Sequence, residues 1–195
     1  MALNWEFTGG ATPLDEDEKL GLITDWVTTR SQLDEVEQYN IEKGEQWALG
    51  RNRKPDDLLG EAFVKRLHKE MYKEVWKWAG EFRTTEKNIG VDPIRIPVEL
   101  RQLLDDARYW MAHTTYPADE LAIRVKHRIV SIHCFPNGNG RHSRLLADVL
   151  ASSLGRPLFT WGAHMEMPDV RERYLNALRK ADRGNLVPLI AFARS

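Results

Sequence analysis

The residues best suited to chemistry lie in one short stretch, 133–144, which reads His-Cys-Phe-Pro-Asn-Gly-Asn-Gly-Arg-His-Ser-Arg. Successive backbone N–H groups of a glycine-rich turn can hold an anion, and the N-terminus of a following helix adds partial positive charge. The forked guanidinium groups of Arg141 and Arg144 can each bind phosphate oxygens. His133 precedes the turn and can accept a proton from an attacking hydroxyl. The stretch therefore predicts a site for phosphate chemistry with a histidine base.

Two helices must position this stretch. Apolar residues at helical spacing run from Pro117 to Ile132 and predict a helix that delivers His133, and a second helix runs from Arg141 to Leu154. A capping-box pattern at Thr29 and three residues later predicts the start of another helix, which ends near residue 50. Similar patterns predict further helices over residues 15–26, 57–80, 97–110, 169–181 and 186–193. Short β-prone runs around a turn predict a hairpin over residues 81–96.

Composition limits the class of protein. A length of 195 residues suits one domain with a full core, and 42% hydrophobic with 29% charged residues is typical of globular proteins. A net charge of −1 argues against a dedicated nucleic-acid binder. The single cysteine, Cys134, excludes an internal disulfide, and with no visible secretory signal or membrane span we expect a cytoplasmic protein. Four other histidines lack metal-ligand spacing and are predicted to be structural or surface residues: His113, His127, His142 and His164.

The stretch from His133 resembles the signature of the Fic (filamentation induced by cAMP) family, His-x-Phe-x-Asp/Glu-Gly-Asn-Gly-Arg-x-x-Arg, at every fixed position but one. Residues 78–85 resemble the segment that enters the family's flap hairpin, and residues 174–178 and 181–185 resemble its closing helices. The resemblance implies an all-α fold, a Fic-type helical bundle with one small β-hairpin flap. With the N-terminal arm around residues 3–7, the whole chain resembles the bacterial subgroup called "mobile mystery protein B".

The family resemblance implies a protein adenylyltransferase, which moves AMP from ATP to a hydroxyl side chain of an unidentified target protein. No nucleic acid or membrane partner is implied, and the oligomeric state is left open. His133 would be the general base and Phe135 would anchor the loop. Arg141 would support the β-phosphate and Arg144 would reach the γ-phosphate. The α- and β-phosphates would be held by three turn residues, Gly138, Asn139 and Gly140.

Asn137 is the one departure from the family signature, because a carboxylate is usual at this position. A charged oxygen is the ligand that Mg²⁺ prefers, and an amide oxygen coordinates without the full charge. We therefore expect Asn137 to be a metal ligand that binds Mg²⁺ more weakly. Two alternatives stay open: a nucleotide-binding regulator that has lost catalysis, and a Fic enzyme that transfers a different phosphate-containing group.

An inhibitory helix is the last expectation from the family. Many Fic proteins carry a glutamate that pairs with the second arginine of the motif and displaces the γ-phosphate. Glu37 is the first candidate for that role, with Arg144 as its partner, and Glu35 is the second. Residues 1–56 would then form an N-terminal arm with candidate inhibitory helices, packed as one globular unit with a Fic domain over residues 57–195.

Overall fold

Helices account for almost all regular structure in the residues that the computed structural model describes, which are 14–163, 165 and 170–195. The arm around residues 3–7 and His164 lie outside the described residues. A short 3₁₀ turn, Pro93–Arg95, leads directly into the helix that begins at Ile96. The α-helices are α1 (Glu16–Lys19), α2 (Arg30–Leu49), α3 (Pro55–Leu58), α4 (Glu61–Tyr72), α5 (Ile96–Ala112), α6 (Ala118–Ile132), α7 (Asn139–Ser153), α8 (Val170–Asp182) and α9 (Val187–Ala193).

The helices pack in pairs around one apolar core, which confirms the predicted all-α class. α6 lies between α5 and α7, and α8 packs against α9. α2 packs along α4 so closely that a Cβ on Gly44 would lie 2.8 Å from the Met71 Cα atom. Because this glycine lets two helix backbones approach, α2 is held at a fixed register beside the start of α7, which it also contacts.

The N-terminus of α2 forms as predicted. The Thr29 hydroxyl accepts a hydrogen bond from the Gln32 backbone N–H at 3.3 Å, and the Gln32 side chain accepts from the Thr29 N–H at 3.0 Å. This reciprocal capping box satisfies two N–H groups that the helix itself cannot bond. None of the helices that the structure describes combines the length and apolar character needed to cross a bilayer.

Two predicted helices are shorter than their apolar patterns indicated. α1 ends at Lys19 and α4 ends at Tyr72, because the segments that follow them pair with each other. The Ile23 N–H donates to the Val75 carbonyl at 2.9 Å, and the Lys77 N–H donates to the Gly21 carbonyl at 2.8 Å. The apolar residues 75, 76 and 79 are still buried, so their apolar pattern indicated burial but not a helix.

The predicted β-hairpin over residues 81–96 is wrong, since this segment contains no paired strands. Its backbone bonds run instead to the end of α6: the Arg83 N–H donates to the Cys134 carbonyl at 2.9 Å, and the Val91 N–H to the Ile132 carbonyl at 3.2 Å. The buried Arg83 guanidinium binds carbonyls within the same segment, those of Thr85 and Val91. One arginine side chain therefore organises residues 81–92, here named the flap loop, in place of a strand ladder.

Candidate active site

His133 ends α6 in a left-handed backbone conformation, with φ 58° and ψ 62°. This conformation is uncommon for a residue with a side chain and is kept only where neighbours hold it. The Arg83 Nε–H donates to the His133 carbonyl at 2.6 Å, and a Cβ on Gly90 would lie 2.7 Å from the His133 Cβ. The flap loop therefore holds His133 at the point where the chain turns away from the helix.

The His133 imidazole is neutral at ordinary pH. Burial lowers its pKa to about 4, and the positive charges of Arg83 and Lys87 act in the same direction. Only 4% of the residue is exposed. A neutral imidazole has a lone pair that can accept a proton, so His133 is in the form that a general base requires.

The side chain of Asn139 shapes the turn that follows His133. Its Oδ1 accepts from the Phe135 N–H at 2.9 Å, and its Nδ2 donates to the Phe135 carbonyl at 2.7 Å. Phe135 is fully buried, so the amide bridge fixes the turn to the core. The amide of Asn139 is therefore engaged inside the turn, and what this residue offers a ligand is its backbone N–H.

The N-terminus of α7 is open to an anion. The helix begins at Asn139, and no side chain caps it. The N–H groups of its first turn lack carbonyl partners within the helix and carry the positive end of its dipole. A Cβ on Gly140 would meet no atom within 4 Å, so open space lies over this residue. Gly138 has φ +76°, which a glycine adopts without strain. The turn and α7 thus present the open, uncapped N–H groups that an anion site would need.

Two buried histidines that the active-site prediction did not use lie under the turn, on its core side. His68 of α4 accepts from the Gly80 N–H at Nδ1 (3.0 Å), so its proton is on Nε2, which donates to the Asn137 carbonyl at 3.0 Å. Burial, and then the neighbouring His142, lowers the pKa of His68 well below its usual value. His142 is structural, as predicted: it is fully buried, and its Nε2 donates to the Val64 carbonyl at 3.0 Å. The one sequence signal for His68 is its position within the apolar pattern of α4.

Glu37 lies in this site, but its partner differs from the prediction. Its Oε2 accepts from Arg141 at 2.8 Å, and its Oε1 accepts from the Trp76 indole N–H at 2.8 Å. Only 1% of Glu37 is exposed, whereas Glu35, the second candidate, is exposed. The predicted pairing with Arg144 is wrong because Arg144 lies about one helical turn further along α7 than the register of α2 allows Glu37 to reach.

Arg144 has no carboxylate partner within the described part of the chain. Its guanidinium lies 5.9 Å from the centre of the Tyr174 ring. Beside it opens a cavity of about 340 Å³ whose lining is mostly aromatic, aliphatic and basic: Arg144, Trp161, Val170, Arg171, Tyr174, Leu175 and Phe192. The aromatic rings of this cavity were not recognised from the sequence, because they come from separate segments that meet only in the fold.

Asn137 is the candidate metal ligand, and its surroundings supply little charge. Its Oδ1 accepts from the Gly138 N–H at 2.6 Å. Among the residues described, no group of three or more histidine, cysteine or acidic side chains is arranged to hold a metal. An amide oxygen keeps a second lone pair, so Asn137 fits a role as one neutral ligand of a cation that is otherwise bound by phosphate and water.

Comparisons with known proteins place the fold. The Fic/DOC family model matches residues 58–151, which include the histidine, the turn and both arginines. The chain carries a Fic/DOC family domain. The Fic domain is 29% identical over 117 residues to the Protein adenylyltransferase Fic of Drosophila grimshawi; the match covers 58% of this chain and 23% of that relative. The chain therefore spans about a quarter of the length of such curated relatives.

Solved structures show the same fold. An N-terminal Fic domain of a putative cell filamentation protein from Bartonella quintana superposes with a TM-score of 0.71 at 16% identity, covering 91% of each chain. BepC from Bartonella tribocorum, solved with AMPPNP bound, superposes with a TM-score of 0.69 at 16% identity, covering 92% of this chain and 97% of that one. Because each superposition covers more than nine tenths of this chain, it extends beyond residues 58–151.

Proposed function

We propose that this Fic domain transfers AMP from ATP to a hydroxyl side chain of a target protein. The observation that carries the proposal is a neutral, buried imidazole beside an uncapped helix N-terminus that bears two arginines. His133 takes the hydroxyl proton, the oxygen forms a bond to the α-phosphorus, and pyrophosphate leaves with the electrons of the broken α–β bond. Phosphoryl-type transfer depends on alignment and charge neutralisation more than on covalent catalysis, and the site offers both.

The surfaces around α7 suggest how ATP would lie. The α- and β-phosphates would be held at Gly138, Asn139 and Gly140, by the N–H groups of Asn139 and Gly140, since the Gly138 N–H already donates to Asn137. Arg141 would lie at the β-phosphate and Arg144 at the γ-phosphate. The 340 Å³ cavity next to Arg144 has the size and aromatic lining of a site for a purine base. The curated relatives named protein adenylyltransferase and the AMPPNP bound to BepC support this reading.

Mg²⁺ would bind with ATP at Asn137. Its amide oxygen would supply one neutral ligand, and the phosphates and water would supply the rest. When bound, the ion would neutralise charge on the phosphates. The missing carboxylate also supports the second candidate function, a nucleotide-binding regulator without catalysis.

Glu37 would inhibit the enzyme by occupying Arg141. The Glu37 Oε2 atom accepts from one Arg141 nitrogen, Nη2, and the carboxylate is buried, so a phosphate that binds this nitrogen would have to displace Glu37. Residues 1–56 would then act as the inhibitory segment of one globular unit with residues 57–195. We also assign the chain to the bacterial "mobile mystery protein B" subgroup, on the resemblance of the whole sequence including its N-terminal arm.

Parallel incubation with α-labelled and γ-labelled ATP tests the proposal. A cell lysate receives the purified parent protein, Glu37→Gly or His133→Ala, and retained label is measured. We expect label only from the α-position, a strong gain in Glu37→Gly, and a loss of about 10²- to 10⁴-fold in His133→Ala. His113→Ala, on an exposed histidine at the end of α5, is the matched control.

Other patterns of label would replace the proposal. Label from the γ-position alone indicates a kinase. Label from neither position, together with ATP binding, indicates the regulator. Undiminished transfer by His133→Ala would remove His133 from the mechanism. Mass spectrometry of the labelled lysate then identifies the target and the modified residue.

A further inference from the structure

Tyr72, the last residue of α4, carries a buried hydroxyl that the interactions described so far do not use. Only 1% of the residue is exposed. Among the residues that the structure describes, nothing forms a hydrogen bond with its Oη atom. A buried hydroxyl without a partner destabilises the fold, and a phenylalanine would avoid that cost. A ligand that accepts a hydrogen bond would satisfy this hydroxyl.

The position of this hydroxyl points to the anion site. The hydroxyl end of the ring faces the glycine turn, where a Cβ on Gly138 would lie 2.6 Å from Oη. The guanidinium of Arg141 lies 5.4 Å from the centre of the same ring. Tyr72 therefore lies beside both the turn that begins α7 and the arginine that Glu37 binds, with its hydroxyl toward the turn.

We propose that the Tyr72 hydroxyl donates a hydrogen bond to a phosphate oxygen of the nucleotide when that phosphate replaces Glu37 at Arg141. The proposal rests on the proposed function, because it assigns a further ligand to the same nucleotide. Each Glu37 oxygen accepts from another donor, Trp76 or Arg141, and neither bonds the tyrosine hydroxyl. A phosphate has more terminal oxygens and can serve a second donor beside Arg141.

The tyrosine is suited to that role in two ways. Burial raises the pKa of Tyr72, so the hydroxyl keeps its proton and remains a donor. The ring packs at a tilt against His68, with 4.7 Å between ring centres, so its hydroxyl is positioned before the ligand arrives. A donor that is already desolvated and oriented loses little freedom on binding.

ATP binding to Tyr72→Phe tests the inference directly, by calorimetry and without any transfer step. The substitution is made in the parent and in Glu37→Gly, where Arg141 is released. A hydrogen bond to a charged group contributes about 1.5–3 kcal/mol, so we expect ATP to bind about 10- to 100-fold more weakly in Tyr72→Phe, Glu37→Gly than in Glu37→Gly. Tyr39→Phe, an exposed tyrosine on α2, is the control and should leave the Kd unchanged.

Two further measurements separate a ligand from a packing residue. Thermal unfolding of Tyr72→Phe should show equal or higher stability, because the unsatisfied hydroxyl is removed. Adenosine, which has no phosphate, should bind Glu37→Gly and the double variant Tyr72→Phe, Glu37→Gly equally. An unchanged ATP Kd, or an equal loss for adenosine, overturns the inference alone. Failure of Glu37→Gly itself to bind ATP overturns the proposed function and the inference together.

Discussion

Replacing His142 by glutamine should remove part of the acid sensitivity of the fold. His142 is buried, its Nε2 donates to the Val64 carbonyl, and its Nδ1 has no partner among the described residues. Burial lowers its pKa from 6.5 to about 4, although the bond to Val64 opposes that shift. The folded protein therefore keeps this histidine neutral at a pH where the unfolded chain has already protonated it.

This difference in proton binding sets how the free energy of unfolding changes with pH. Stability from a histidine with a lowered pKa is complete above pH 6.5 and is lost as the pH falls toward 4. At pH 5 the solution is 1.5 pH units below the pKa of this histidine in the unfolded chain. At about 1.36 kcal/mol per unit, protonation of the unfolded chain lowers the free energy of unfolding of the parent by about 2 kcal/mol. His142→Gln can keep the donor to Val64 but takes up no proton, so it escapes this loss.

Urea unfolding followed by tryptophan fluorescence at pH 8 and pH 5 measures the effect. We expect the difference in unfolding free energy between parent and His142→Gln to shift by about 2 kcal/mol in favour of the variant at pH 5, or roughly 4–8 °C in Tm. His133, with its pKa lowered to about 4, and Asp148, with its pKa raised by burial to about 6, titrate in both proteins, so they cancel in the difference. The substitution also removes the contribution of His142 to the lowered pKa of His68, which acts in the same direction as the expected effect. His113→Gln is the exposed control. A difference that is the same at both pH values would refute the reasoning.

Three further predictions concern the turn and the flap loop. Asn137→Asp should lower the Mg²⁺ concentration for half-maximal activity at constant ATP, since it restores a charged oxygen; an unchanged requirement removes Asn137 from the metal site. Gly138→Ala should lower the free energy of unfolding in urea by about 1–3 kcal/mol, because φ is +76° and the new methyl group meets Tyr72; wild-type stability would contradict this. Arg83→Lys should reduce transfer by about 10²-fold with little change in ATP affinity, because it loosens His133; a change in ATP Kd alone would contradict that role.

Local sequence predicted the parts of this protein whose geometry depends on near neighbours. The capping box at Thr29 and Gln32 formed as expected, because its partners lie three residues apart. The helix that delivers His133 and the helix that follows the turn both lie where apolar spacing and glycines indicated. Even so, apolar spacing alone overestimated the length of two helices, because residues 21–23 and 75–77 form backbone hydrogen bonds with each other.

The sequence predicted which residues come together in the candidate site, but only some of the contacts that they make. His133, the turn and Arg141 come together as expected, and their roles in catalysis stay predictions. The inward direction of the Asn139 amide and the support of the turn by His68 required the fold, because each depends on which backbone groups lie within 3 Å. The flap loop was misread for the same reason, since its hydrogen-bond partners lie on α6.

The partner of Glu37 separates most clearly what sequence and structure each decide. The sequence by itself determined that a helix with a glutamate precedes a glycine-rich turn followed by two arginines. Which arginine that glutamate binds was decided by the close packing of Gly44 on Met71, which sets the register of α2 against α4 and the start of α7. A shift of one helical turn, about 5.4 Å, would change the partner, and no local pattern specifies such a distance between segments 104 residues apart.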